Sequence, residues 1–251
     1  MDKIYLYLFS LLVFLIFPMK AQEVHDFFDP MDVFELEWAS DPQVSPDSKT
    51  IVYVRKSHDI MKDKVRSNIW QIKIDGEDHR PLYSELGNSY SPRWSPNQER
   101  LAFLSNNSGS TQIHMYWFKS GETRAITQVQ ESPSSLSWSP DGKWIAFTMN
   151  VKAKSNAIVE SREKPEGATW AKKPITVTTT QYQYDGRGIV EPSYRQIFIV
   201  PAEGGSARQL TKGNFNHYGP LSWSSDSESI FFSAYRSDDW ELSSDEADIF
   251  R

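Results

Sequence analysis

The sequence predicts an all-β fold, and three observations support this expectation. A strand–turn–strand unit occurs four times, each hairpin is followed by another apolar strand, and in three cases a polar turn leads on to a fourth strand. Four short strands in a period of about 40 to 50 residues are typical of a β-propeller blade. The chain is therefore expected to form an incomplete β-propeller of about four blades, each a four-stranded antiparallel sheet.

The hairpin at residues 136–147 is the best copy of the repeated unit. Its turn reads Ser-Pro-Asp-Gly at 139–142, and each residue suits its position in a type I turn. Large and β-branched residues flank the turn, so one face of the hairpin is expected to be buried. The Trp or apolar residue before each turn is expected to pack between neighbouring blades. Similar hairpins lie at 43–53, 93–103 and 221–232.

The spacing of the repeats defines the expected domains. The serines that begin the four turns are 50, 44 and 85 residues apart, so the third unit contains an insertion. Residues 22–38 are expected to form a lead-in segment with a short amphipathic helix. The partial propeller is assigned to 39–251, with blades at about 39–88, 89–131, 132–216 (insertion 151–192) and 217–251, the last one truncated.

Local patterns give further expectations. Residues 56–66 are polar and basic and predict a loop in the first blade. In the insertion, residues 176–184 favour a strand that a turn at 185–188 closes, over one face of the propeller. Tyr184, Asp185 and Arg187 are candidates for a substrate-facing loop, with a structural turn as the alternative.

Three of the four turns lack the glycine of the best copy. Ser48, Gln98 and Ser227 occupy the glycine position in blades one, two and four. A residue with a Cβ atom tolerates positive φ poorly. Turn geometry is therefore expected to be less regular in these three blades.

Composition and the N-terminus bear on location and partners. The net charge is −6, with 27 basic and 33 acidic residues and no basic block, so no nucleic-acid partner is expected. Residues 1–21 contain an early lysine, an apolar run from 4 to 17 and a terminal alanine, which is typical of a secretory signal peptide. The run is shorter than the roughly 20 residues of a membrane span. We expect a periplasmic or secreted protein without a membrane partner after cleavage; an uncleaved anchor is the alternative.

The sequence lacks the common catalytic and cofactor motifs. No Gly-x-Ser-x-Gly nucleophile elbow, Gly-x-Gly-x-x-Gly fingerprint or P-loop is present, and there is no cysteine. The five histidines have no metal-ligand spacing, and the acidic residues at 238–248 do not form a calcium loop. The expectation is therefore no catalytic, cofactor-binding or metal-binding residue on this chain, and no cofactor.

The hairpin repeat is similar to that of TolB-type propellers and of propellers in the prolyl oligopeptidase family. Residues 38–47, 184–188 and 195–211, in that order, look like the N-terminal half of the acylaminoacyl-peptidase and dipeptidyl-peptidase-like branch of the latter. The resemblance implies an exported serine peptidase in which the propeller admits short peptides to a C-terminal α/β-hydrolase domain. No catalytic residue can be transferred, because that domain is missing here.

Three interpretations remain open from the sequence. In the first, the chain is the substrate-gating propeller of such a peptidase, inactive alone, with short peptides bound through the missing hydrolase domain. In the second, it is a non-catalytic TolB-type propeller that binds protein or peptides in the periplasm. In the third, it is a degenerate product without a stable fold. An unfinished last blade would leave open strand edges that allow self-association.

Overall fold

A computed structural model describes residues 27–153, 163–171, 177, 179–180, 182–186, 188–237, 240–242 and 246–251. The expected signal peptide lies outside these residues. The chain divides into two compact units, Met1–Leu36 and Glu37–Arg251.

The described part of the first unit contains one short 3-10 helix, Pro30–Glu35. Asp29 caps its start: the Asp29 carboxylate accepts from the Met31 N–H at 2.8 Å, and the Asp32 carboxylate accepts from the Asp29 N–H at 2.8 Å. None of its residues is buried. The amphipathic helix expected from the sequence is therefore a short capped 3-10 segment in which residues 32–34 are half-buried.

The second unit consists of antiparallel sheets in which strands follow one another in chain order. This confirms the all-β fold and the incomplete propeller of about four blades. The first sheet contains β1 (Glu37–Val44), β2 (Thr50–Asp59), β3 (Lys64–Lys73) and β4 (Arg80–Tyr83); the second contains β5 (Ser89–Trp94), β6 (Arg100–Ser105), β7 (Gln112–Trp117) and β8 (Thr123–Ala125). The third begins with β9 (Ser134–Trp138) and β10 (Trp144–Lys152), is interrupted by the hairpin of β11 (Gln183–Tyr184) and β12 (Gly188–Ile189), and continues with β13 (Ser193–Pro201) and β14 (Arg208–Gln209). The fourth contains β15 (His217–Trp223), β16 (Ile230–Ala234) and β17 (Asp248–Phe250).

The hydrophobic core lies between the blades. The first strands β1, β5, β9 and β15 lie side by side, so the sheets converge there. In β6, Leu101 and Phe103 pack toward blade one, whereas Ala102 and Leu104 pack toward blade three. Both faces of a middle blade are thus buried, which explains why its central strand is a continuous apolar run.

A tryptophan at the end of the first strand ties each blade to the one before it. Its indole N–H donates to a backbone carbonyl one residue before the equivalent position in the preceding blade. We call this series the tryptophan ladder, and it confirms the expected packing of these residues between blades. Its three N···O pairs are Trp94 with Gln43 (3.1 Å), Trp138 with Arg93 (3.0 Å) and Trp223 with Ser137 (3.2 Å).

The four repeated turns share one backbone geometry. In each, the hydroxyl oxygen of the first serine accepts from the N–H five positions later, at 2.9 to 3.0 Å. Gly142 has a φ of 68°, and Ser48, Gln98 and Ser227 have φ of 59°, 53° and 64°. The expectation of less regular turns in blades one, two and four is therefore wrong.

Cross-blade hydrogen bonds offset the missing glycines in two of these turns. The Gln98 side-chain oxygen accepts from the Asp47 N–H of the preceding blade at 3.1 Å, and the Ser227 hydroxyl accepts from the Asp141 N–H at 3.1 Å. A glycine could not make either bond. The side chains that strain these turns thus also fasten them to the neighbouring blade.

Two local expectations need correction. The loop expected at 56–66 is largely strand, because β2 and β3 pair without interruption from Thr50↔Lys73 to Asp59↔Lys64. In the insertion, only Gln183–Tyr184 of the expected strand at 176–184 is a strand among the described residues. Thr179 and Thr180 lie in a bend, where Thr180 bonds to a side chain rather than to a strand.

Candidate functional site

The insertion projects from one end of the propeller. Because the strands are antiparallel, the repeated turns lie at one end, and the loops between second and third strands lie at the other. The latter end, which we call the insertion end, also carries the connections from each blade to the next. The insertion thus stands where loops from several blades meet.

The hairpin of β11 and β12 forms the described tip of the insertion. Tyr184 pairs with Gly188, and the Asp185 carboxylate accepts from the Gly186 N–H at 2.9 Å, which stabilises the turn. Of the three sequence candidates, Tyr184 lines a cleft, Asp185 has this turn role, and Arg187 lies outside the described residues. The substrate-facing role stays a prediction.

A cleft of about 250 Å³ lies between this hairpin and the insertion end of blades three and four. We call it the insertion cleft. Its walls include four aromatic rings, two amide side chains, one carboxylate and one guanidinium. These residues are Tyr184, Tyr194, Tyr218, Trp240, Asn150, Asn216, Glu191 and Arg195. No salt bridge between this carboxylate and this guanidinium is found in the described structure.

Contacts from blade four close one side of the insertion cleft. The Glu241 carboxylate accepts from the Thr180 N–H at 2.8 Å and from its hydroxyl at 3.0 Å. The Trp240 ring lies edge-on to Tyr194, with ring centroids 5.9 Å apart. The Glu241 carboxylate thus latches the insertion to the blade-four loop, and Trp240 packs the same loop against β13 of blade three.

On the other side, Lys152 binds Glu191 at the base of the insertion. Their side-chain N···O distance is 2.8 Å. The Lys152 hydrogen bond lowers the pKa of Glu191, and Glu191 raises the pKa of Lys152 in turn. Glu191 therefore already has a partner of opposite charge within the protein, in a solvent-exposed pair.

A buried histidine joins blades three and four directly below the insertion cleft. His217 Nδ1 lies 3.0 Å from the Arg195 carbonyl oxygen, and the Arg236 guanidinium lies 2.9 Å from His217 Nε2. Because arginine can only donate, Nε2 must accept and Nδ1 must carry the proton. Burial lowers the pKa of His217, so the neutral form is the stable one.

The backbone of Arg195 bonds to blade four, and its side chain lines the insertion cleft. Its N–H donates to the Asn216 side-chain oxygen at 2.9 Å. Its guanidinium carbon lies 5.8 Å from the centroid of the Tyr218 ring. Within the described parts of the chain, no carboxylate forms a salt bridge with it. The arrangement can bind a negatively charged group.

A related cleft of about 500 Å³ lies between blades one and two. Asn88 and Tyr90 take the positions of Asn216 and Tyr218, and the Ser67 N–H donates to the Asn88 side-chain oxygen at 3.0 Å. The sequence reasoning missed both clefts. The signal was present as Asn-Ser-Tyr-Ser-Pro at 88–92 and Asn-His-Tyr-Gly-Pro at 216–220.

Other candidate chemistry does not converge in the described structure. No group of three or more metal-ligating side chains is found among the described residues. In the same residues, no helix is long and apolar enough to cross a membrane. The absence of catalytic, cofactor and metal residues therefore stays a prediction.

Comparison with known proteins relates this fold to peptidases. A family model described as the TolB beta propeller domain matches residues 37–171. The uncharacterized peptidase YuxL of Bacillus subtilis is 30% identical over 204 residues, which cover 81% of this chain and 30% of YuxL. Dipeptidyl-peptidase 5 of Porphyromonas gingivalis is 27% identical over 135 residues, or 54% of this chain and 20% of that protein. The chain thus spans less than a third of the length of these relatives.

Solved structures show the same architecture. An acylaminoacyl peptidase in complex with Z-Gly-Gly-Phe-chloromethyl ketone matches with a TM-score of 0.64 at 14% identity, over 88% of this chain and 32% of that one. The acylaminoacyl peptidase of Pyrococcus horikoshii matches with a TM-score of 0.63 at 16% identity, over 86% and 31% of the two chains. At these identities the likeness establishes the shared fold.

Proposed function

The chain belongs to the TolB β-propeller family, and we propose that it forms the N-terminal, substrate-gating propeller of an exported serine peptidase that hydrolyses short peptides. The observation that carries this proposal is the similarity over 81% of this chain to a peptidase of which it spans only 30%. The catalytic Ser, Asp and His would then lie in a hydrolase domain outside these residues. This chain would control access, and hydrolysis would occur elsewhere.

The insertion end fits a gating role. Tightly stacked blades make a rigid body, and loops on a rigid scaffold are where binding residues usually lie. The insertion cleft is small and partly aromatic, which suits one or two residues of an extended peptide and not a folded domain. We propose that the insertion contributes to this size selection.

Activity of the full-length gene product tests this function. It should cleave short chromogenic peptides, with free or acylated N-termini, in a reaction that a serine-reactive inhibitor blocks. Residues 22–251 alone should not cleave them. A gene product that contains further blades but cleaves none of these peptides would contradict the proposal.

The second candidate is a non-catalytic propeller that binds protein or peptides. The family match at 37–171 favours it, because the matching model is described as the TolB beta propeller domain. It predicts peptide binding without any turnover by the gene product. Calorimetric binding measured beside the peptidase assay separates the two candidates.

Export to the periplasm or the medium is part of the proposal. It rests on the apolar run at residues 4–17 and the alanine at position 21. N-terminal sequencing of protein recovered from the periplasm or medium should give a chain that begins at Gln22. A cell-bound protein that retains its first 21 residues would contradict export with cleavage.

A further inference from the structure

We propose that the insertion cleft is an anchoring site for a peptide carboxylate, with the guanidinium of Arg195 as the binding cation. The peptide nature of the ligand rests on the proposed function, whereas the preference for a carboxylate rests on the cleft alone. The group recognised is the C-terminal carboxylate of a short peptide.

The internal repeat shows that the fold does not require arginine at this position. The residues equivalent to Arg195 are Ser67 in blade one and Thr111 in blade two. Ser67 makes the same backbone hydrogen bond to an asparagine of the next blade, at 3.0 Å, as Arg195 does at 2.9 Å. A small residue thus makes the same backbone contact between neighbouring blades. The guanidinium of Arg195 is not needed for that contact and is an addition specific to the insertion cleft.

Arg195 is a cation of the cleft wall that forms no salt bridge with the described residues. Glu191 is paired with Lys152 at 2.8 Å, and Glu241 accepts two hydrogen bonds from Thr180. The guanidinium carbon of Arg195 lies 5.8 Å from the centroid of the Tyr218 ring. A partly buried cation without an anion is unfavourable, and a carboxylate would both neutralise it and accept two parallel N–H bonds.

The remaining walls suit the end of a peptide. The amides of Asn150 and Asn216 can donate to a carboxylate oxygen, and the rings of Tyr184 and Trp240 offer apolar surface for a side chain. A volume of about 250 Å³ lies below the ~300 to 1,000 Å³ that is usual for drug-sized ligands. The cleft therefore takes the last one or two residues of a peptide and not a longer segment.

Calorimetry with two peptides tests the proposal. The probes are N-acetyl-Gly-Gly-Phe with a free carboxylate and its C-terminal amide, titrated into the 251-residue chain. Because both probes are acetylated, the C-terminal carboxylate is the only charged group on the acid, and the amide carries no charge. We expect the amide to bind about 10- to 100-fold more weakly, because hydrogen bonds to a charged group are lost.

Matched arginine variants assign the effect to the cleft. Arg195→Gln should bind the acid as weakly as the wild type binds the amide. Arg124→Gln is the control, because Arg124 also lies over an aromatic ring, 4.8 Å from the centroid of Trp117, but lies in blade two. It should keep the discrimination between acid and amide. Arg195→Ser, which introduces the blade-one residue, should behave as Arg195→Gln and retain the wild-type near-UV spectrum.

The outcomes separate this inference from the proposed function. Equal binding of acid and amide by the wild type, no detectable binding of the acid, or undiminished discrimination in both Arg195 variants would overturn it. Carboxylate-dependent binding by this chain, without turnover by the full-length gene product, would support the carboxylate site and contradict the peptidase proposal. Turnover by the full-length gene product, without a carboxylate preference in this chain, would support the peptidase proposal and contradict the carboxylate site.

Discussion

Replacing Trp138 by phenylalanine tests whether the tryptophan ladder holds the blades together. The indole N–H of Trp138 donates to the Arg93 carbonyl at 3.0 Å, and the ring packs against the core between blades two and three. Phenylalanine keeps an aromatic ring but removes the donor, so the carbonyl loses its partner. Losing a hydrogen bond in a partly buried site costs about 1 to 3 kcal/mol.

We expect Trp138→Phe to lower the free energy of unfolding by about 2 kcal/mol. For a domain of this size, that corresponds to a fall in Tm of about 4 to 8 °C. Urea unfolding followed by circular dichroism measures the first quantity, and a thermal scan measures the second. Both should show one cooperative transition in the variant.

The control is Trp170→Phe, since Trp170 is 50% exposed and has no part in the ladder. It should change the free energy of unfolding by less than about 0.5 kcal/mol. If the two variants lose the same stability, the ladder does not contribute as argued. If Trp138→Phe loses none, the indole hydrogen bond is replaced without cost by water.

Three further predictions concern a turn, a buried histidine and the latch. Ser48→Gly should raise the free energy of unfolding by about 0.5 to 1 kcal/mol in urea titrations, because glycine adopts a φ of 59° without strain. Gln98→Gly should raise the free energy of unfolding by less, because it also removes the hydrogen bond to the Asp47 N–H of the preceding blade. Stability should fall as the pH drops below the ordinary histidine pKa of 6.5, because burial lowers the pKa of His217 and His114 and the unfolded chain takes up protons that the folded chain resists. In unfolding measured between pH 7 and pH 5, His217→Gln should reduce that fall and leave the part that His114 contributes. Glu241→Ala should leave Tm within about 1 °C of wild type, since the contact is exposed, but should speed hydrogen exchange at the Thr180 amide; unchanged exchange would contradict the latch.

The fold was predictable because its information is local and repeated. Each hairpin carries its own turn signal, as at 139–142, and four copies reinforce one another. The positive φ of Ser48, Gln98 and Ser227 was not predictable from propensity, since the backbone pattern common to all four turns overrides the preference of a single residue. The cross-blade bond from Gln98 required knowledge of which turn lies beside it.

The candidate site was predictable only in part. Tyr184 was singled out because it precedes a turn, and it does line the insertion cleft. Arg195 and Trp240 were missed as cleft residues, because the insertion cleft assembles them from different blades. Comparison of equivalent repeat positions would have marked Arg195, since it stands where the other blades have Ser67 and Thr111.

The tryptophan ladder has a direction. Every indole bond runs from a later blade to an earlier one, and the first position of the series is occupied by Val44, which has no side-chain donor. A neighbouring molecule therefore cannot continue the series by placing its own first blade against blade four, where the Ser222 carbonyl is the next acceptor in sequence. If identical molecules associated head to tail, the interface between them would lack the indole hydrogen bond that joins neighbouring blades within each molecule. A blade with a tryptophan at this position could donate to the Ser222 carbonyl, whereas the first blade of this chain could not.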